Sequence, residues 1–207
     1  VFGDWSSDVC SSDLNGVNRF FAFRKGGCVI EGVRFASAFF GKGQFVPAGM
    51  KKTAGGYQLT QVLDGPYYQP LEPSRPVSSQ QYGPTRPLRK RTEVCRLTQT
   101  ATVRETPAGF EIDFAIEGTD KVPVAIEIVF RQGTRLEGVK PAAAADAHLL
   151  AEGFATAVSG ADSIRVGPGL GLHRWTQIRG AAAKLPGPSV YLCGFTPLRH
   201  TLQISCP

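Results

Sequence analysis

The feature that most constrains this chain is a long alternation of apolar and polar residues within the stretch 91–139. Every second residue of the segment 109–117 is apolar, and the same alternation resumes over 122–130 after a turn-like cluster at 118–121. The apolar members are Phe110, Ile112, Phe114 and Ile116, followed by Val122, Val124, Ile126, Ile128 and Phe130. A period of two over this length is typical of half-buried strands with one face in a core. The pattern therefore predicts a hairpin of two strands.

The preceding segment extends this hairpin to three strands. Its alternating apolar residues are Cys95, Leu97, Ala101 and Val103. The turn-forming stretch 106–109 then leads into the hairpin. The sequence thus predicts an antiparallel meander with one apolar side, which a second layer has to cover. We interpret Glu111, Asp113 and Glu127, at the outward positions, as solvent-facing carboxylates.

The rest of the chain also reads as short strands between Gly- and Pro-rich turns. The segments concerned are a hairpin within 19–40 and strands at 57–63, 152–158, 163–166, 173–179, 190–195 and 201–204. The Ala-rich segment 141–150 is the single helix candidate. Together these elements predict an all-β fold, an antiparallel β-sandwich or supersandwich with almost no helix.

A Pro-rich stretch over 67–91 interrupts the strands and predicts a long surface loop or a crossing between domains. Its end is basic, with Arg86, Arg89, Lys90 and Arg91 close together. Tyr67 and Tyr68 precede it, and they suit either ligand binding or packing within a turn.

The first residues follow neither period. The stretch 4–14 has no basic start and no apolar run, so it does not resemble a signal peptide, and it does resemble the translation of a common short-read sequencing adapter. The alternative is a disordered polar tail. We expect 1–14 to pack against nothing, and 15–207 to form one β-sandwich domain, the C-terminal part of a longer protein.

Composition limits the partners of the chain. The 23 basic residues outnumber the 17 acidic ones by six, and leaving out the three aspartates of 1–14 raises the excess to nine. This excess favours anionic partners such as acidic glycans, nucleic acid or phospholipid surfaces, although it also serves solubility. No apolar run approaches the ~18 residues of a membrane-spanning helix. The remaining cysteines, Cys28, Cys95, Cys193 and Cys206, show no zinc-binding spacing, so we expect no metal and no other cofactor.

The best polar cluster for a binding site lies in the predicted strand 173–179. His173, Trp175 and Arg179 would share one face of this strand, and Arg174 would lie on the other. An indole stacks on the apolar face of a sugar, and a guanidinium binds a carboxylate or sulfate with two hydrogen bonds. Together these groups suit an acidic glycan. The alternative is a strand with one solvent-exposed face and with Trp175 packed in the core.

Other candidates carry less information. The glycine-rich stretch 167–171 is followed by a strand pattern instead of a helix, so it predicts a tight turn and not a phosphate-binding loop. We interpret His148 and His200 as surface histidines or as core histidines whose ring nitrogens are hydrogen-bonded. No two carboxylates form an evident acid and base pair, and the catalytic residues stay unassigned.

Five stretches carry a family resemblance. They are VPVAIEIVF at 122–130, GTRLEG at 133–138, GPG at 167–169, HRW at 173–175 and FTPLRH at 195–200. In strand rhythm and turn placement, the region 91–204 resembles the β-sandwich regions of heparinase II/III-type polysaccharide lyases and related carbohydrate-active enzymes, which resemble the galactose mutarotase-like supersandwich. The resemblance implies an upstream helical toroid domain that supplies much of the active cleft. It also implies a periplasmic or secreted protein.

Three classes of function follow. The first is the β-sandwich module of a polysaccharide lyase that acts on uronate-containing glycans, with its catalytic domain upstream and no activity of its own. The second is a non-catalytic glycan-binding or structural module. The third, ranked last, is a basic nucleic-acid-binding domain that uses Phe20, Phe21 and Phe23 with the arginines of the Pro-rich stretch, which requires those aromatics to be exposed.

Overall fold

The computed structural model describes residues 18–72 and 78–206, and over these ranges the chain folds into two β-sheets packed face to face. The all-β sandwich predicted from the sequence is confirmed. The tail predicted at 1–14 lies outside the described residues.

The described strands are joined by turns, irregular segments and a few short helical turns. They are β1 (Phe21–Lys25), β2 (Cys28–Ser37), β3 (Met50–Thr53), β4 (Gly56–Tyr68), β5 (Arg91–Thr106), β6 (Gly109–Gly118), β7 (Pro123–Phe130), β8 (Arg135–Glu137), β9 (Lys140–Pro141), β10 (Ala147–Leu149), β11 (Ala155–Ser159), β12 (Asp162–Gly167), β13 (Ser189–Phe195) and β14 (Leu198–Ser205). One six-stranded sheet has the order β1-β2-β7-β13-β10-β9, and one eight-stranded sheet has the order β3-β4-β5-β6-β14-β12-β11-β8. Neighbouring strands are antiparallel except β10 and β13, which run parallel.

The core lies between the two sheets and is built from the alternating apolar residues. Phe35 of β2 stacks on Phe45 at a centroid distance of 4.3 Å, and Phe114 of the opposite sheet meets Phe35 edge-on at 5.3 Å. The predicted core residues Phe110, Ile112, Phe114, Val124, Ile126 and Ile128 are all buried. Aromatic rings at these distances and angles stabilise the interface beyond the area that they bury.

The predicted hairpin between 109–117 and 122–130 is wrong, because β6 and β7 lie in different sheets. β6 has a polar outer side, whereas β7 is buried on both faces, as expected of a central strand in a sheet covered on both sides. The chain crosses between the sheets at 118–122. The crossing is fixed by hydrogen bonds from the Lys121 amide to the Thr196 carbonyl and from the Thr196 amide to the Val122 carbonyl.

A polar residue bridges the two sheets within the core. Gln99 of β5 is fully buried, and its Oε1 accepts a 2.9 Å hydrogen bond from the hydroxyl of Ser37, which ends β2. The amide nitrogen of Gln99 donates to Gln61 Oε1 at 3.1 Å. Because a buried polar group without a partner is costly, these bonds hold Gln99 in one orientation.

The Ala-rich segment 141–150 is not a helix, so that prediction is wrong. It forms the turn and the two short strands β9 and β10, with Asp146 at a positive φ of 55°. Three of its alanines, Ala142, Ala144 and Ala147, pack in the apolar cluster that contains Tyr191 and Cys193.

The Pro-rich connection was predicted to be a long loop, but its described residues 79–88 form a run of short helical turns. It contains one α-helical turn, α1 (Tyr82–Thr85), and short 3-10 turns at Ser79–Gln81 and Arg86–Leu88. No helix of the described chain is long and apolar enough to cross a membrane, and the four cysteines found there are free thiols.

Candidate functional site

The outer face of the six-stranded sheet lies under residues 172–187, which we name the covering segment. Its hydrogen bonds are irregular: the Leu172 amide donates to the Cys193 carbonyl at 2.9 Å, and the Ala182 amide donates to Gln44 Oε1 at 2.8 Å. Thr176 is buried, and Ile178 packs on the outer-face cluster that contains Ala125, Tyr191 and Cys193. The predicted strand at 173–179 is therefore wrong, because this segment pairs with no strand edge.

A buried ion pair lies beneath the covering segment. The register places Glu127 of β7 directly between Arg34 of β2 and Tyr191 of β13. The Arg34 Nε donates to Glu127 Oε2 at 2.5 Å, and the two side chains are 3% and 5% exposed. The hydroxyls of Tyr191 and Ser189 donate to Glu127 Oε1 at 2.8 Å and 3.2 Å. The interpretation of Glu127 as a solvent-facing carboxylate is thus wrong, whereas Glu111 and Asp113 are only partly buried and pair with Arg104.

This network ties the covering segment to the sheet. The Arg34 Nη2 donates to the Ala183 carbonyl at 2.6 Å, and the Gln177 amide nitrogen lies 3.5 Å from the Tyr191 hydroxyl. Burial and the adjacent Glu127 carboxylate raise the pKa of Tyr191, so its hydroxyl keeps its proton and remains a donor. The recess beside these groups measures about 10 Å³, which is room for roughly one water molecule. We therefore assign the network to holding the segment in place.

His173 is the best-anchored member of the predicted site. Its Nε2 lies 3.1 Å from the Val124 carbonyl oxygen and 3.0 Å from that of Gly194, so Nε2 carries the hydrogen and donates. Its Nδ1 accepts a hydrogen bond from the Trp175 amide at 3.2 Å. Burial lowers the pKa of His173, which favours the neutral ring. With both nitrogens occupied, the imidazole is a structural anchor with no free position for proton transfer.

Trp175 is the most exposed aromatic side chain of the covering segment. It exposes 52% of its surface, so the alternative of a core tryptophan does not hold. The imidazole of His173 stacks beside the indole at 4.9 Å with an interplanar angle of 28°, and the ring of Phe195 meets the indole edge-on at 6.2 Å. The indole is thus supported by two rings and still open to solvent.

Arg174 and Arg179 are both exposed, and within the described ranges neither forms a salt bridge with a carboxylate. Arg179 lies beside the turn after β2, where its Nε is 3.6 Å from the position that a Cβ on Gly41 would take. The structure therefore brings His173 and Trp175 into contact and places both arginines on the surface of the same segment.

The remaining candidates are three phenylalanines, the glycine-rich stretch and two histidines. Phe20 and Phe21 are buried in the core, and Phe23 packs against it, so they are not the exposed aromatics that the nucleic-acid hypothesis requires. The glycine-rich stretch 167–171 has no helix after it, and in place of the predicted tight turn it is irregular over 168–170, with the Gly169 amide bonded to the Gly153 carbonyl. His148 and His200 are partly buried, and each has one buried ring nitrogen without a hydrogen-bond partner in the described chain.

The described residues contain no cluster of three or more His, Cys, Asp or Glu side chains placed to hold a metal ion. Reasoning from the sequence did not identify Arg34 and Glu127, the ion pair buried beneath the covering segment. The available signal was a charged residue inside each of two mostly apolar strands. Comparisons with protein-family models, with curated proteins and with solved structures found no match for this chain.

Proposed function

We propose that this chain is a non-catalytic β-sandwich module that binds acidic glycans, with Trp175 as the platform for a sugar ring. The observation that carries the proposal is the half-exposed indole held by His173 and Phe195. The apolar face of a sugar stacks on such a ring. A ring that is already fixed before binding loses little conformational freedom when the ligand arrives, which favours affinity.

The preference for an acidic glycan rests on charge. Arg174 and Arg179 flank the platform on the covering segment, and in the described chain no carboxylate neutralises them. A guanidinium binds a carboxylate or a sulfate more strongly than it binds a neutral hydroxyl. The net charge of +6 adds long-range attraction for the same class of ligand.

The resemblance to polysaccharide lyases supports the wider proposal that the module belongs to a carbohydrate-active enzyme. In that setting another domain of the same protein supplies the groups that abstract a proton from a uronate. The occupied nitrogens of His173 favour a binding role for this module over a catalytic one.

The test is calorimetric titration of the protein with uronate oligosaccharides and with neutral oligosaccharides of the same length. We expect the uronate series to bind more tightly, and we expect added salt to weaken this binding because exposed charges are screened over about 8 Å at physiological ionic strength. Trp175→Ala should weaken binding by at least about tenfold, or 1.4 kcal/mol. Arg179→Ala should reduce both the affinity and its salt dependence.

Leu172→Ala is the matched control, because Leu172 is an exposed apolar residue of the same segment. It should leave the affinity unchanged. Equal binding by wild type and Trp175→Ala would contradict the platform, and an ultraviolet signal from unsaturated product would contradict the non-catalytic assignment.

A further inference from the structure

Strands β4 and β5 continue beyond the sandwich as a two-stranded extension. Leu97 of β5 pairs with Gly118, the last residue of β6, and the residues before Leu97 pair with β4 alone, as far as Arg91 opposite Tyr68. We name residues 63–72 and 78–97 the arm. Except for partly buried Cys95, the arm residues 91–96 are exposed.

The arm carries aromatic rings paired with arginines. The guanidinium groups of Arg86 and Arg91 lie 5.7 Å and 5.8 Å from the ring centre of Tyr68, and that of Arg89 lies 4.9 Å from the ring centre of Tyr82. Cations over rings at these distances are attracted to the π-face. Within the described chain, no carboxylate forms a salt bridge with these arginines, so their charges remain available to an anionic ligand.

The arm and Trp175 lie at the same end of the sandwich. The crossing 118–122 contacts the base of the arm, where the Thr119 amide donates to the Arg96 carbonyl. The same crossing is bonded to Thr196, the residue after Phe195, which contacts the indole of Trp175.

A second set of contacts runs along the surface between them. The ring of Tyr67, which is 53% exposed, lies 5.1 Å from the ring of Phe40, which is 38% exposed. Arg179 lies beside Gly41, the next residue, and Lys42 Nζ donates to the Asp64 carbonyl at the arm. Because Arg179 is four residues from Trp175, their Cα atoms are at most about 14 Å apart.

Two glycines allow this arrangement. A Cβ on Gly65 would lie 2.2 Å from the ring of Phe40, so a larger residue at that position would push the ring off the arm. Gly41 has a positive φ of 70°, which side chains rarely allow. The contact between Phe40 and the arm is therefore fixed by backbone positions that only glycine fits well.

We propose that Trp175, Arg179, Phe40, Lys42 and Tyr67 form one continuous end strip that binds an internal stretch of an anionic polysaccharide chain. This inference rests on the proposed function and adds the length of the ligand to it. A terminal sugar would use the platform alone, whereas alternating aromatic and cationic groups along the strip suit several successive acidic sugars.

A single-stranded nucleic acid is the competing anionic polymer. Its bases need a series of open aromatic faces on which to stack. Guanidinium groups already lie over the rings of Tyr68 and Tyr82, which leaves Trp175 and the partly open Phe40 and Tyr67 as free surfaces. The rings of Phe40 and Tyr67 also meet at an interplanar angle of 68°, so they do not form the series of parallel faces on which successive bases stack. With Arg179 and Lys42 beside them, the strip favours a ligand recognised through its charges.

The experiment titrates wild type and variants with a series of uronate oligosaccharides of increasing length. For wild type, we expect the affinity to rise with length until the strip is filled. The double variant Lys42→Ala/Tyr67→Ala should bind the shortest oligosaccharide as wild type does and should lose the gain from length, at least about tenfold for the longest. Trp175→Ala should weaken every member of the series.

Lys140→Ala is the charge-matched control, because Lys140 is exposed in β9 and forms no salt bridge in the described chain. It should bind the whole series as wild type does. Equal wild-type affinity for short and long oligosaccharides, or a double variant that keeps the length dependence, would overturn the strip while leaving the platform intact. Loss of all binding would instead refute the proposed function. Tighter binding of an oligothymidylate than of the longest uronate oligosaccharide would overturn the glycan as occupant.

Discussion

Breaking the buried pair of Arg34 and Glu127 is a direct test of how the covering segment is held. We expect Glu127→Ala to lower the free energy of unfolding by about 3–5 kcal/mol, the range for removing one partner of a buried ion pair. The guanidinium of Arg34 would keep its charge in a site where its side chain is only 3% exposed. The hydroxyls of Tyr191 and Ser189 would also lose their acceptor.

The hydrogen bonds alone reach the same magnitude, because each buried donor left without an acceptor costs about 1–3 kcal/mol. For a chain of this size, each kcal/mol shifts the melting temperature by about 2–4 °C, so we expect a drop of about 6–20 °C. Thermal and urea unfolding of wild type and variant measure it, with fluorescence and circular dichroism as independent probes.

Glu117→Ala is the matched control, since Glu117 pairs with Arg199 on the surface and its side chain is 51% exposed. Exposed pairs contribute about 0–1 kcal/mol, so this variant should remain near wild type. The double variant Arg34→Met/Glu127→Met should recover most of the loss, because it leaves no buried charge unpaired. The reasoning fails if Glu127→Ala is as mild as Glu117→Ala, or if the double variant is no more stable than the single one.

Two further predictions concern the core and the histidines. Ile126→Ala should cost about 2–5 kcal/mol in urea unfolding by leaving a cavity, and an effect below that of the exposed change Val62→Ala would contradict the core. Burial lowers the pKa values of His173 and His200, so below their ordinary value of 6.5 the unfolded chain binds protons that the folded chain does not. Stability should therefore fall as the pH drops below about 6.5. A flat unfolding free energy between pH 7.5 and pH 5 would contradict this.

The alternation of the sequence predicted which residues face the core, because side chains on adjacent positions of an extended chain point to opposite sides. It did not predict which sheet a strand joins. A hairpin and a crossing between sheets both need only a short polar connection, and 118–121 suits either. The deciding fact is that β7 is mostly apolar and buried on both faces, so it takes a central place with cover on both sides.

The candidate site was harder to predict because it depends on contacts between distant residues. Glu127 faces away from the main core, and only the covering segment, which follows more than 40 residues later, makes that face a buried one. Gln99 interrupts the apolar alternation of β5, and its partners Ser37 and Gln61 lie on other strands, where sequence position alone does not place them. A tryptophan suits a core and a binding surface equally well, so the sequence left the exposure of Trp175 open.

The covering segment shows why a period of two predicts an extended chain more reliably than it predicts a strand. Trp175 and Arg179 are exposed while Thr176 and Ile178 face the sheet, yet no ladder of backbone hydrogen bonds forms. A segment without a ladder is held by its side-chain contacts, which here include the hydrogen bond from Arg34. If Trp175 is the platform for a glycan, its position depends on those contacts. Glu127→Ala should then weaken glycan binding even at temperatures where the variant is fully folded, and Glu117→Ala should not.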